Sequence, residues 1–317
     1  MKFRTEVNIN KPTFSIRPLA RMLFVGSCFA DNIGKRFQAE KFRAVVNPYG
    51  VMYNPVSILH TVRRFTAEVK NSQSITPTLA NSVPVLPPWG DKRGALLPWG
   101  DKRGALLSWG DKRGALVDYR TIAVFTLGTN HVYRLKETGE IVDNCRKRPQ
   151  RLFQEEELTI DQCCEALSEA VDVLMEICPD IKVIVTVSPI RYAKYGFHGS
   201  QLSKATLLLA ADKLCCEKEN CTYFPAYEIV NDELRDYRFY KEDMLHPSEQ
   251  TVSYIWERFS ETFFDDSTFD FLEKWRPIKE ALGHKPFNPD GEEYKLFMQR
   301  THEKILKLKE EYPELEV

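Results

Sequence analysis

Ser27 stands in Met22-Leu-Phe-Val-Gly-Ser-Cys-Phe-Ala30, where a short apolar run ends in Gly-Ser and the following residues, Phe29 to Arg36, read as the start of a helix. A serine on a strand-to-helix turn projects its hydroxyl above the sheet edge, and the helix N-terminus offers free N–H groups to a developing negative charge. Far along the chain comes Asp243-Met-Leu-His246-Pro. An aspartate three residues before a histidine can hold the imidazole in one tautomer, and that imidazole can take a proton from a serine hydroxyl. A nucleophile, a base and an orienter for acyl transfer are thus all present.

Cleavage of an ester or thioester passes through a tetrahedral oxyanion, so the site also needs donors aimed at that oxygen. The candidates are the backbone N–H of Ser27, the backbone N–H of Gly50 and the side-chain amide of Asn130. Glycine suits the second position because a missing Cβ lets the backbone approach a substrate. Cys28 is a second candidate nucleophile, since a helix N-terminus lowers a thiol pKa. The competing reading, a small buried hydrophobe, is the commoner one for cysteine. Arg191 and His198 follow Ser188 and are candidates to line a substrate cleft; both also read as ordinary loop residues.

These residues need a frame. Strand-like runs at 22–25, 42–47, 120–127, 181–188 and 221–224 alternate with helical spacing at 31–41, 55–69, 159–177, 201–218 and 251–264. That alternation predicts a parallel sheet covered on both faces. Sites in such sheets form at the C-terminal ends of the strands. Gly26-Ser27, Gly50, Gly128-Thr-Asn130 and Ser188 all fall at those ends. A hairpin is expected over 131–135 and 140–144, turning at Thr138-Gly139.

The bulk numbers exclude several classes. At 317 residues the chain can bury a large core. A hydrophobic fraction of 43% and a charged fraction of 28% are those of an ordinary globular protein. The net charge of -1 gives no argument for nucleic acid or anionic membranes as partners. Met1-Lys-Phe-Arg-Thr-Glu-Val-Asn8 has no apolar core of a signal peptide, and no stretch reaches the roughly 18 apolar residues of a membrane span. Eight cysteines without zinc-ligand spacing fit reduced thiols, so a cytoplasmic location and no metal are expected.

Periodicity is lost from residue 71. Pro88-Trp-Gly-Asp-Lys-Arg-Gly-Ala-Leu-Leu97 then recurs at 98–107 and, with altered ends, at 108–117. Three copies of a ten-residue unit are too few and too short for a solenoid. Their glycines and charges predict a flexible surface insertion, which costs little because closure entropy grows slowly with length. The expected organisation is a catalytic domain over 1–264, interrupted by an irregular insertion at 71–117, and a charged helical extension over 265–317 packed back on it.

Gly26-Ser-Cys-Phe-Ala30 is the signature that names the GSCFA family, and the chain resembles that family over most of its length. The resemblance also runs through Asn47-Pro-Tyr-Gly-Val-Met-Tyr-Asn-Pro55, Thr126-Leu-Gly-Thr-Asn130, Val187-Ser-Pro-Ile-Arg191, Asp243-Met-Leu-His-Pro-Ser248 and His284-Lys-Pro-Phe-Asn-Pro289. The family looks like a branch of the SGNH (GDSL-like) hydrolases. The resemblance implies an α/β fold: a three-layer α/β/α sandwich, SGNH- or flavodoxin-like, around a mostly parallel five-stranded sheet. It also implies acyl-ester chemistry with Ser27 as nucleophile, Gly50 and Asn130 as oxyanion donors, and Asp243 with His246. The chain departs from the family over 71–117, where relatives carry an aromatic, histidine-rich stretch and an amphipathic helix. The expectation is a serine esterase or acyltransferase that needs no cofactor and acts on a small-molecule or glycan acyl ester. No nucleic-acid or membrane partner is expected, and the oligomeric state is left open. The rival reading is a non-catalytic binding or scaffold protein.

Overall fold

The strands of this chain carry apolar side chains on both faces, so they can be buried only between two layers of helices. The structure, a computed structural model, describes residues 4–74, 121–145 and 147–317. In chain order the elements are β1 (Arg21–Gly26), α1 (Cys28–Ala39), β2 (Arg43–Val46), α2 (Pro55–Ser74), β3 (Thr121–Leu127), β4 (His131–Leu135), β5 (Ile141–Val142), β6 (Phe153–Glu157), α3 (Ile160–Met175), β7 (Lys182–Val187), α4 (Gly196–Glu217), β8 (Cys221–Tyr223), α5 (Glu249–Phe263), α6 (Asp266–Gly283) and α7 (Glu292–Glu311). Short helical turns at Ala226–Glu228 and Ile229–Leu234 lie between β8 and α5.

Five strands form one sheet in the order β2-β1-β3-β7-β8, every pair parallel. Alternate residues then sort to opposite faces. Met22, Phe24, Ala44, Ile122, Val124 and Ile184 pack with α1 and α5. Leu23, Val25, Val45, Phe125, Leu127 and Val185 pack with α2, α3 and α4. The result is the expected three-layer α/β/α sandwich. All five predicted strands are present, and the 131–144 hairpin forms as β4 against β5.

Several boundaries differ from the sequence reading. Helix α1 starts at Cys28 rather than Asp31, because the Ser27 side chain caps it by accepting the Phe29 N–H. Helix α4 starts at Gly196, five residues before the spacing predicts. Strand β6 was not foreseen: its Phe-Gln-Glu-Glu-Glu sequence reads poorly as a strand, yet it pairs antiparallel with β4. Cationic partners compensate: Arg134 of β4 pairs with Glu156 at 2.9 Å across the strands, and Lys194, from the loop before α4, with Glu155 at 2.7 Å. The tandem repeat over 88–117 and the rest of the insertion beyond Ser74 lie outside the described residues, as does Arg146.

The last two helices pack as a pair around Phe271, Trp275, Ile278, Ile305 and Leu308, with Leu19. Trp275 Nε1 donates to the Ala39 carbonyl at 3.0 Å, and Thr268 Oγ1 to the Ile16 carbonyl at 2.7 Å. The pair is therefore docked against the C-terminal end of α1. Among the described residues no helix is long and apolar enough to cross a membrane.

Phe37 is the hub of the α1–α5 layer: its ring centroid lies 4.8 to 5.9 Å from those of Phe24, Phe42, Trp256, Phe259 and Phe264. Phe37→Ala is expected to lower unfolding free energy by about 3–5 kcal/mol in urea titrations. Phe287→Ala, at a fully exposed ring, should stay within about 0.5 kcal/mol of wild type.

Candidate active site

The turn that presents Ser27 is fixed from both neighbouring strands. Gly26 has φ +149°, and a Cβ there would sit 2.2 Å from the Thr126 carbonyl oxygen, so only glycine fits. The Ser27 N–H donates to Thr126 O at 3.0 Å and to Thr126 Oγ1 at 2.9 Å. On the other side, the Gly26 N–H donates to Asn47 Oδ1 at 2.9 Å, and Asn47 Nδ2 donates to Asp31 at 2.7 Å. Ser27 itself is buried. Its Oγ lies 3.2 Å from Thr126 Oγ1 and 3.3 Å from the Phe29 nitrogen.

Cys28, the alternative nucleophile, is half-buried at the first position of α1. Burial pushes its thiol pKa up, the Asp31 charge adds to that, and the backbone N–H groups and Lys204 only partly oppose it. A thiol held protonated is a poor nucleophile.

The second half of the site is a tight loop. His246 Nδ1 lies 2.6 Å from Asp243 Oδ2, while Asp243 Oδ1 accepts the N–H groups of Leu245 and His246, both at 2.9 Å. The His246 N–H, then the Leu245 N–H, then the His246 ring pull the Asp243 carboxyl down to about 2. Arg191 holds this loop in place. Its backbone N–H donates to Leu245 O and its guanidinium to Met244 O, each at 3.0 Å. The guanidinium rests 4.1 Å from the Phe197 ring, with Tyr237 and Tyr240 at 5.7 and 5.6 Å. The sequence offered Arg191 as a cleft-lining or ordinary loop residue, and the structure shows its bonds to the 243–246 loop. His198 is exposed in the first turn of α4.

Ser27 follows β1 and Arg191 follows β7, so both leave the sheet at the C-terminal ends of its parallel strands. The Ser27 hydroxyl makes no hydrogen bond to His246 among the described residues. The three oxyanion candidates are engaged internally. Besides Ser27, the Gly50 N–H donates to Asn47 O at 2.9 Å, and Asn130 Nδ2 donates to Leu158 O at 2.8 Å. Gly50 is required by its φ of +101°, since a Cβ there would meet nothing within 4 Å. Asn130 is buried, with Oδ1 lacking a partner among the described residues.

Three residues escaped the sequence reading: Asn47, Thr126 and Lys204. Asn47 and Thr126 act through backbone geometry that no spacing reveals. Lys204 left a trace, because it falls on the apolar stripe of Leu207, Ala211 and Leu214 where a solvated lysine has no place. Among the described residues no His, Cys, Asp or Glu cluster could hold a metal. A cavity of about 880 Å³ lined by Arg4, Glu6, Asp232, Glu233 and Arg238 shares none of the site residues.

The depressed Asp243 pKa sets a pH signature. Its folded pKa lies below the unfolded value of about 3.9, so its stabilising contribution is complete above that pH and is lost as pH falls toward the folded value. Thermal midpoints of wild type should therefore fall more steeply with acid than those of Asp243→Asn over that window. Parallel curves would contradict the loop geometry.

The GSCFA family profile matches residues 21–259, and the profile of the GSCFA domain protein C-terminal domain matches residues 275–317. No curated protein matches the chain. Among solved structures, one similar chain is a Streptococcus pneumonia protein whose description names platelet activating factor. It is 10% identical with a TM-score of 0.40, over 77% of this chain and 84% of that one. Another is a Clostridium thermocellum family 3 carbohydrate esterase, 16% identical with a TM-score of 0.26, over 48% of this chain and 57% of that one. At these TM-scores neither likeness carries weight for function. The family matches together span both the sheet domain and the docked C-terminal helices, and the chain belongs to the GSCFA family.

Proposed function

We propose that this chain is a serine esterase acting on an acyl ester of a small molecule or glycan. Ser27 Oγ attacks the carbonyl carbon while His246 Nε2 takes its proton. Asp243 accepts the Nδ1–H bond that keeps the imidazole in the required tautomer and stabilises it once charged. The tetrahedral oxyanion forms beside the N-terminus of α1, where the helix dipole favours negative charge. Its donors are the Ser27 and Gly50 N–H groups, won from Thr126 and Asn47, and the second amide hydrogen of Asn130. His246 then returns the proton to the leaving alkoxide, and water, deprotonated by the same ring, releases the acid from Ser27. A hydroxyl acceptor in place of water would make the same acyl-enzyme an acyltransferase intermediate.

The observation that carries this reading is the 2.6 Å Asp243–His246 pair, tied through Arg191 to the sheet edge that presents a capped serine on a strand-to-helix turn. A bare surface histidine would need neither the buried turn nor the holder.

A fluorophosphonate probe is expected to label the folded wild type and Cys28→Ala but not Ser27→Ala. Folded wild type that takes no label would refute the esterase and favour a binding or scaffold role. With p-nitrophenyl acetate, Ser27→Ala, His246→Ala and the double variant should lose activity to roughly the same floor, because residues that act as one unit are not additive. A double variant far below both singles would argue that the two act separately.

A further inference from the structure

Helix α4 is amphipathic in an unusual way. Its later turns bury Leu207, Ala210, Ala211 and Leu214, but the N-terminal turns of the same buried face carry Ser200, Ser203 and Lys204. The polar side chains there serve two turns. Ser203 Oγ accepts the Asn130 N–H at 3.0 Å and lies 3.1 Å from Thr129 Oγ1. Ser200 Oγ accepts the Tyr192 N–H at 3.2 Å. Lys204 reaches both turns: its Nζ donates to Gly128 O at 2.7 Å and to Ser188 O at 2.8 Å.

Lys204 is 2% exposed and has no carboxylate within ion-pair distance among the described residues. The titratable side chains that face it are Cys28 of α1 and Tyr227, whose ring centroid is 6.0 Å from Nζ. Burying an ammonium without a counter-ion is costly. Burial accordingly pulls its pKa down to about 7, against a smaller upward pull from Cys28. What the lysine gains is two carbonyls from different strand ends. The first turn bears Asn130 and is also held by Tyr53 O, which accepts the Gly128 and Thr129 N–H groups, both at 2.8 Å. The second runs on to Arg191, which grips Met244 and Leu245 inside the Asp243–His246 loop.

We propose that Lys204 is a positioning residue of the esterase site: by tying Gly128 O to Ser188 O it sets the spacing between the Asn130 turn and the turn whose Arg191 holds the Asp243–His246 loop. The inference rests on the esterase reading of Ser27. The tie is strongest while the amine is charged, because hydrogen bonds from an ionised donor are roughly twice as strong as neutral ones. Activity should then decline on the alkaline side as Lys204 loses its proton.

The test compares the full chain with Lys204→Met, which removes both bonds, and Lys204→Gln, whose amide can still donate to both carbonyls without charge. Circular dichroism and melting establish folding, and p-nitrophenyl acetate turnover gives kcat and KM across pH. Lys204→Met is expected to lose about 10²-fold in kcat, as for reacting groups displaced by about an ångström, with KM little changed. Lys204→Gln should recover part of that loss, and both variants should lack the alkaline limb of the wild type. Fluorophosphonate labelling keeps the two readings apart. Wild type unlabelled at Ser27 overturns the esterase itself. Wild type labelled, with folded Lys204→Gln matching it in kcat and pH profile, overturns the role of Lys204 alone. If neither variant folds, the wild-type profile decides, and a flat alkaline side overturns the proposal.

Discussion

Everything at the site depends on how closely β1 and β3 approach where β1 ends. There the Gly26 backbone passes so near Thr126 that no side chain fits between them. The contact is shape exclusion, and it has a polar consequence. With the strands this close, Thr126 can accept the Ser27 N–H through both its carbonyl and its hydroxyl. Asn47 closes the turn from β2. A serine that would otherwise wander on a loop is thereby held at the first turn of a helix. It is buried, with its hydroxyl already an acceptor for the Phe29 N–H.

His246 is held by the opposite logic. Asp243 and His246 lie on a loop with both side chains half-exposed. Backbone N–H groups orient the carboxylate, the carboxylate orients the ring, and Arg191 anchors the backbone between them. Packing and charge thus divide the work. Sterics set Ser27 on the sheet, while a relay of hydrogen bonds sets His246. Helix α4 adds buried serines and a lysine that exchange apolar contact for control of two strand ends.

The layers were legible because each strand's unbroken apolar run and each helix's period left a direct mark: Met22, Leu23, Phe24 and Val25 could only be sandwiched. Ser27, Asp243 and His246 stood out as candidates by type and spacing, and of these Asp243 and His246 are brought together. The finer site was not legible. Whether Arg191 faces a cleft or a loop depends on the path of residues fifty positions away, which no local pattern encodes. That the Gly50, Ser27 and Asn130 donors already have partners depends on Asn47, Thr126 and Leu158, again a matter of tertiary register. Strand β6 hid behind three glutamates whose fitness for a strand came from Arg134 and Lys194 elsewhere.

The docking of α6 and α7 on the far end of α1 bears on the order in which the molecule can be made. Trp275 caps the Ala39 carbonyl, Thr268 bonds Ile16, and the Arg43 guanidinium reaches the backbone of Glu314, so the first elements wait for partners more than two hundred residues downstream. On a ribosome, β1, α1 and β2 emerge long before those partners exist. The hub around Phe37 likewise lacks Trp256, Phe259 and Phe264 during that time. Such distant closures slow folding and leave apolar surface uncovered in the nascent chain. The segment bearing the serine therefore emerges well before the helices that complete its layer, and stays open until they arrive.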